Sequence, residues 1–204
     1  MRYGYSRSEY SSHEMGGTMR HATDLSPQPV VLGLLMSQPR HGYELYQKYR
    51  RDLARVWHIG LSQLYALLGQ LQESGLVAAH TEVQPTRPAR KVYTLTAAGR
   101  EAFLKWLSRP TPYLRHMRME MPARVYFFQE LSLPGASDWI TVQKAVCRER
   151  ASHYAQLAVQ TEGFRSLVLD FRRGQLEAVV PWLDACLRAL SPMPEGPRPP
   201  ERED

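Results

Sequence analysis

The sequence predicts a mainly α-helical fold with a small β-hairpin, a winged helix-turn-helix followed by an α-helical dimerisation domain. Three observations carry this reading. Three apolar-periodic segments are packed closely between residues 28 and 74, two runs that favour extended structure flank a basic loop at 77–96, and long amphipathic stretches fill 111–191. The expected organisation is a flexible tail over 1–25, a winged helix-turn-helix over 26–110, a helical domain over 111–191 and a disordered tail over 192–204.

The first helix begins near Pro29, a residue suited to a first turn, and carries Val30, Val31, Leu34 and Leu35 at helical spacing. Pro39 and Gly42 punctuate the chain before a second helix striped by Leu45, Tyr46, Tyr49 and Leu53. A third runs from about Leu61 to Ser74, with Leu61, Leu64, Leu68 and Leu71 on one face, Leu67 beside them, and Gly75 as its C-terminal cap. VAAHTEV and KVYTLT then read as strands. The QPTRPAR between them is a loop, because proline cannot join a central ladder. Thr96 is the N-cap of a fourth helix, without the reciprocal capping box, since position 99 is glycine.

Beyond Tyr113 three more helices are expected. The first includes Met117 to Leu131, and LPGASD breaks it from a long one between about Trp139 and Arg173. Gly174 separates a last helix striped by Leu176, Val179, Val180, Leu183, Leu187 and Leu190, with Pro181 implying a kink or a start nearby. The terminal SPMPEGPRPPERED is too rich in proline and acid to continue it.

The net charge of +6 is unevenly placed, with residues 26–110 alone carrying a surplus equal to the total. Such a footprint suits a polyanion. No apolar run is long enough to span a bilayer and the N-terminal stretch has no apolar h-region, so a cytoplasmic protein with no membrane partner is expected. The two cysteines, Cys147 and Cys186, lack zinc-finger spacing and read as small buried hydrophobes. No catalytic motif, phosphate loop or metal-binding His pair is present, so neither enzyme nor cofactor is expected.

In a winged helix-turn-helix the third helix can enter the major groove of double-stranded DNA. Opposite its leucines it presents Ser62, Gln63, Tyr65, Ala66, Gly69 and Gln70, of which Gln63 and Gln70 can pair with adenine edges. Tyr43 and Lys48 of the second helix, with Arg87, Arg90 and Lys91 of the wing, complete the expected DNA contacts, the cations through phosphates. Arg50 and Arg51 add charge beside Lys48.

HGYEL (41–45), LYALLGQLQESGLV (64–77) and RKVYTLTAAGREAFLKWL (90–107) resemble the PadR family of transcriptional regulators. The resemblance is carried by Gln63-Leu64-Tyr65-Ala66 in the place of the family's recognition run, and by Tyr93, Leu95, Thr96 and Gly99 after the wing. It implies a homodimer on a palindromic operator. Ala66 stands where the family usually has proline, and Gly69-Gln70 where a Lys-Arg pair is common, which shifts phosphate attraction onto the wing and second helix. Independently, the Leu176–Leu190 stripe offers more apolar face than one chain covers, and it is the expected dimer seam. Trp106, Met117, Met121, Tyr126 and Phe128 are the expected lining of a small-molecule effector pocket between the domains, of the kind that family members use for aromatic or drug-like molecules. Against DNA-binding repression stands one rival, a winged-helix protein-interaction module, favoured by the missing cations of the third helix.

Overall fold

A computed structural model of the chain describes residues 25–84 and 87–190, with the side chains of 83, 84 and 87–89 left undescribed. The tails expected over 1–25 and 192–204 lie outside the described residues, apart from Leu25. The elements run α1 (Gln28–Leu34), β1 (Arg40–His41), α2 (Gly42–Asp52), α3 (Leu61–Glu73), β2 (Val77–Gln84), β3 (Arg87–Leu95), α4 (Ala97–Ser108), α5 (Leu114–Glu130), α6 (Ala136–Val159) and α7 (Phe164–Leu190).

Helices α1 to α4 bury leucines, valines and aromatics toward one another, and the hairpin closes one side as an antiparallel sheet of order β1-β3-β2. The two-residue β1 was not expected; Arg40 and His41 pair with Tyr93 and Val92 and turn the hairpin into three strands. Gly75 ends α3 with φ of +71°, a conformation that costs glycine little, and Leu76 N–H reaches back to the Leu71 carbonyl at 2.9 Å. Thr96 caps α4 as expected, its Oγ1 accepting the Gly99 N–H at 3.0 Å. Gly99 is required by close approach, since a Cβ there would fall 2.0 Å from the Leu76 carbonyl oxygen.

The C-terminal helices depart from the expected boundaries. The break lies at residues 160–163, where Gly163 has φ of +63°, and not at Gly174, which sits inside α7. An ordinary helical glycine costs only about 1 kcal/mol, which tertiary packing absorbs, whereas a left-handed residue ends the helix outright. The result is a long antiparallel hairpin of α6 and α7, tied by Lys144 to Asp184. Pro181, like Pro122 of α5, lies within a helix.

Between these halves stands α5. Its C-terminal half packs on the winged head, where the Phe127 ring meets Phe103 edge-on at 5.1 Å and lies over Gly33. A Cβ on Gly33 would come within 2.5 Å of that ring. One buried cluster thus runs from Val30 of α1 to Cys186 of α7.

Candidate nucleic-acid interface

Tyr49 sets the entry to α3. Its buried hydroxyl donates to the Trp57 carbonyl and accepts the Ile59 N–H at 2.6 Å, which fixes the connection leading to Gly60 and Leu61. From there Leu64, Leu67, Leu68 and Leu71 point inward. Leu61, expected on the buried stripe, is instead 37% exposed, and Leu67 takes an inner place at 7%. Ser62, Gln63, Tyr65, Ala66 and Gln70 are all exposed on the outer side, with no cation among the thirteen residues of α3. Gly42 brings the start of α2 against this face. Tyr65 lies directly over it, where a Cβ would come within 2.5 Å of the ring, and the neighbouring Tyr43 is exposed.

The cations are disposed differently from the expectation. Lys48, expected at a phosphate, is 7% exposed, and its Nζ donates to Glu130 Oε1 at 2.6 Å and Asp52 Oδ2 at 3.0 Å. Charge already committed to two carboxylates inside the protein is not available to DNA, so Lys48 leaves the set of contact residues. Lys91 remains on the surface at the base of the wing, bonded to Gln72 Oε1 at 2.7 Å and lying 5.5 Å from the Tyr93 ring. Arg90 is exposed and pairs in register with Glu82, which also lies 3.5 Å from His41 Nε2. The side chain of Arg87 lies outside the described residues. Arg50 and Arg51 are exposed on α2, the latter held to Asp52 at 2.7 Å.

The Lys48 cluster joins head to α5 as a closed polar seam. Tyr126 Oη donates to Asp52 Oδ2 at 2.8 Å. Burial pushes the Asp52 carboxyl up, but hydrogen bonds from Arg51, Tyr126 and Lys48 prevail and hold it at about 2. Burial pulls the Lys48 ammonium down, and its bonds to Glu130 and Asp52 override that and raise it above the usual lysine range. Burial and the bond to Asp52 bring Tyr126 to about 12. Nearby, burial lowers the Arg124 guanidinium to about 10 against the pull of Glu120, while its Nε donates to the Trp106 carbonyl at 3.1 Å.

The five residues expected around one effector pocket are not brought together. Met117 and Met121 line an open cleft of about 1240 Å³ between α5, α6 and α7. Trp106 lies under Arg124 at 4.5 Å, Tyr126 belongs to the polar seam, and Phe128 stacks near Trp139 at 5.8 Å. They sit on the faces of α4 and α5 turned toward the head and α6, away from the cleft. The expected dimer stripe is likewise divided. Leu176 and Leu183 are fully buried on their own chain, and Val179, Val180, Leu187 and Leu190 are partly covered. The most exposed large apolar side chains on α7 are Phe164 (79% exposed), Leu167 (67%) and Phe171 (66%), none of them singled out from sequence. No described helix is long and apolar enough to cross a membrane.

Residues 31–105 match the family model described as the transcriptional regulator PadR-like family. The negative transcriptional regulator PadR of Bacillus subtilis (strain 168) is 32% identical over 173 residues, covering 79% of this chain and 95% of that protein. Among solved structures, Bacillus subtilis PadR in complex with operator DNA shares 27% identity with a TM-score of 0.42, over 80% of this chain and 98% of that one. The same protein in complex with p-coumaric acid shares 25% identity with a TM-score of 0.39, over 80% and 98% of the two chains.

Proposed function

The chain belongs to the PadR-like family of transcriptional regulators, and on that premise we propose that it represses transcription by binding a palindromic operator in double-stranded DNA as a homodimer. A small-molecule effector releases it. The observation that carries this reading is α3, whose outer face is exposed, polar and free of structural duty while its inner face is fully engaged. Gln63 and Ser62 stand at the helix start, where recognition helices meet base edges, and Tyr43 and Tyr65 flank them with hydroxyls for the backbone. Arg90 and Lys91, with Arg50, supply the charge that α3 lacks. The wing's Arg87 is assigned to the same task from sequence alone. The relative's negative regulation supports the repressor assignment. The protein acts in the cytoplasm and needs no catalytic group.

Two copies meet through the face that one copy leaves open. Phe164 and Leu167 lie at i and i+3 along α7, near the turn that joins it to α6. They replace the buried Leu176 and Leu183 as the centre of the dimer contact, with Val180, Leu187 and Leu190 flanking it.

The rival reading, a protein-interaction module, is favoured by the absence of cations on α3. One experiment separates the two. Fragments selected from random duplex by the purified protein define a site, and binding to it is then titrated with salt. Repression through phosphate contacts requires the logarithm of the affinity to fall linearly with log salt, with a slope of several cation equivalents, and Gln63→Ala to cost roughly 1–3 kcal/mol of discrimination at one base pair. No enriched sequence, or a flat salt response, overturns the assignment in favour of the module.

A further inference from the structure

Four arginines line the cleft between α5, α6 and α7. Arg115 and Arg118 come from α5, Arg150 from α6 and Arg172 from α7, and no Asp or Glu lines the cleft beside them. None of the four makes an ion pair among the described residues. Elsewhere on the same helices three cations do meet carboxylates. Arg124 pairs with Glu120 at 2.9 Å, Lys144 with Asp184, and Arg173, the very next residue after Arg172, with Asp170 at 3.1 Å.

Three of the four cleft cations are held by aromatic faces. Arg115 and Arg150 lie 5.8 and 5.6 Å from the same Tyr113 ring, and Arg172 lies 6.0 Å from Tyr154. A ring face orients a guanidinium without neutralising it, and although Arg115 Nε donates to His116 Nε2 at 3.0 Å, its terminal N–H groups remain for an external acceptor, like those of Arg150 and Arg172. Met117, Met121, Phe171 and Trp182 supply apolar wall between the charges. Gathering four like charges around one concavity is repulsive, and an anion with several charges reverses that sign. A single carboxylate is matched by one fork and leaves the other guanidiniums uncompensated.

We propose that this cleft binds a small planar molecule bearing two or more anionic groups, an aromatic polycarboxylate or a phosphate ester on a ring. The volume of about 1240 Å³ admits a ring system with its substituents, and carboxylate and phosphate oxygens both fit the guanidinium fork. The cleft is also wired to the reading head. Leu114 through Pro122, the N-terminal half of α5, forms one wall, while the C-terminal half carries Phe127 and the Tyr126 and Glu130 contacts to α2. Pro122 removes one helical hydrogen bond at the boundary, so that a ligand drawing on Arg115 and Arg118 can tilt one half against the other. That the ligand is the releasing effector rests on the repressor reading above; that the cleft binds it does not.

The test uses the full chain with two multianionic probes, benzenetricarboxylate and adenosine monophosphate, and benzoate as the monoanion, each followed by calorimetry and by quenching of Trp182. At least one multianion is expected to bind with a Kd below about 1 mM, roughly tenfold or more tighter than benzoate, and to weaken with salt. Arg115→Gln/Arg150→Gln is expected to lower that affinity at least about tenfold while circular dichroism and sedimentation stay unchanged. Arg118→Gln/Arg172→Gln repeats the measurement with the α7 side of the cleft in place of the α6 side. Binding of neither multianion, equal binding of benzoate, or equal binding by both variants overturns the proposal. So does a variant that becomes monomeric, which would show the cleft to be filled by a second copy. Probe binding that leaves the operator complex intact upholds the cleft ligand and removes only its role as effector.

Discussion

The seam between α5 and the winged head, and the cleft at the other end of α5, use similar side chains in opposite ways. In the seam, Lys48 and Arg124 are buried and each meets a carboxylate, Asp52 with Glu130 for one and Glu120 for the other. In the cleft, Arg115, Arg118, Arg150 and Arg172 are left without any. Apolar groups follow the same division. Phe127 is enclosed by Phe103 and Gly33, whereas Phe164, Leu167 and Phe171 on α7 stand in solvent. A region whose charges are compensated is finished within one chain; a region with surplus cations and bare aromatics is shaped for something from outside. One helix serves both, divided at Pro122.

The strongest way to break this comparison is to open the finished side. Phe127→Ala removes the ring that fills the space over Gly33 and Phe103, where the tight approach leaves little room to collapse. The expected loss is about 3–5 kcal/mol, read as a lower denaturant midpoint for head and helices together. If instead the head melts at its wild-type midpoint, α5 is not part of its core.

The unfinished side should respond in the opposite sense. Leu167→Glu with Phe164→Glu changes exposed positions that line neither core nor cleft, so the folded monomer should keep its stability. Sedimentation should show single chains, and operator affinity should fall about 100-fold as the second half-site contact is lost. A double variant that still sediments as a dimer moves the contact to the partly covered Val179–Leu190 flank.

How legible this was from sequence depends on how far apart the cooperating residues lie. Leu64, Leu68 and Leu71, the Gly75 cap and the Thr96 cap follow from spacing within one helix or turn, and the structure has them as read. The two-residue β1 is too short to show alternation, and it forms only because Val92 and Tyr93 are already in place. The sequence reading puts the helix end at Gly174 and passes over Gly163; the left-handed backbone at Gly163 makes the turn, while Gly174 is tolerated inside α7. Lys48 looked like a surface cation because its partner Glu130 lies eighty-two residues away. The cleft arginines come from three helices. Arg115 and Arg118 flank Met117, which was expected at a pocket, but nothing local joins them to Arg150 and Arg172.

The smallest effect expected is also the one that separates structure from DNA contact most cleanly. Lys48→Met keeps the aliphatic stem and removes the ammonium, leaving Asp52 with Arg51 and Tyr126 and releasing the half-exposed Glu130 to water. Losing two charge-assisted hydrogen bonds at a part-buried site should cost about 1–2 kcal/mol. The Asp52 carboxyl, held at about 2 against an ordinary 3.8, contributes stability that is complete above the ordinary value and lost as pH falls toward 2. Without Lys48 its folded value rises toward the ordinary one, so less of that stability exists and acid unfolding begins at a higher pH. The salt slope of operator binding should not change, because Lys48 touches no phosphate, whereas Arg90→Ala should reduce it by about one cation equivalent. A Lys48→Met slope shallower by the same amount would mean that the seam opens on DNA and hands its lysine to the backbone, in which case α5 moves in the bound state and the enclosed side of the molecule is its switch.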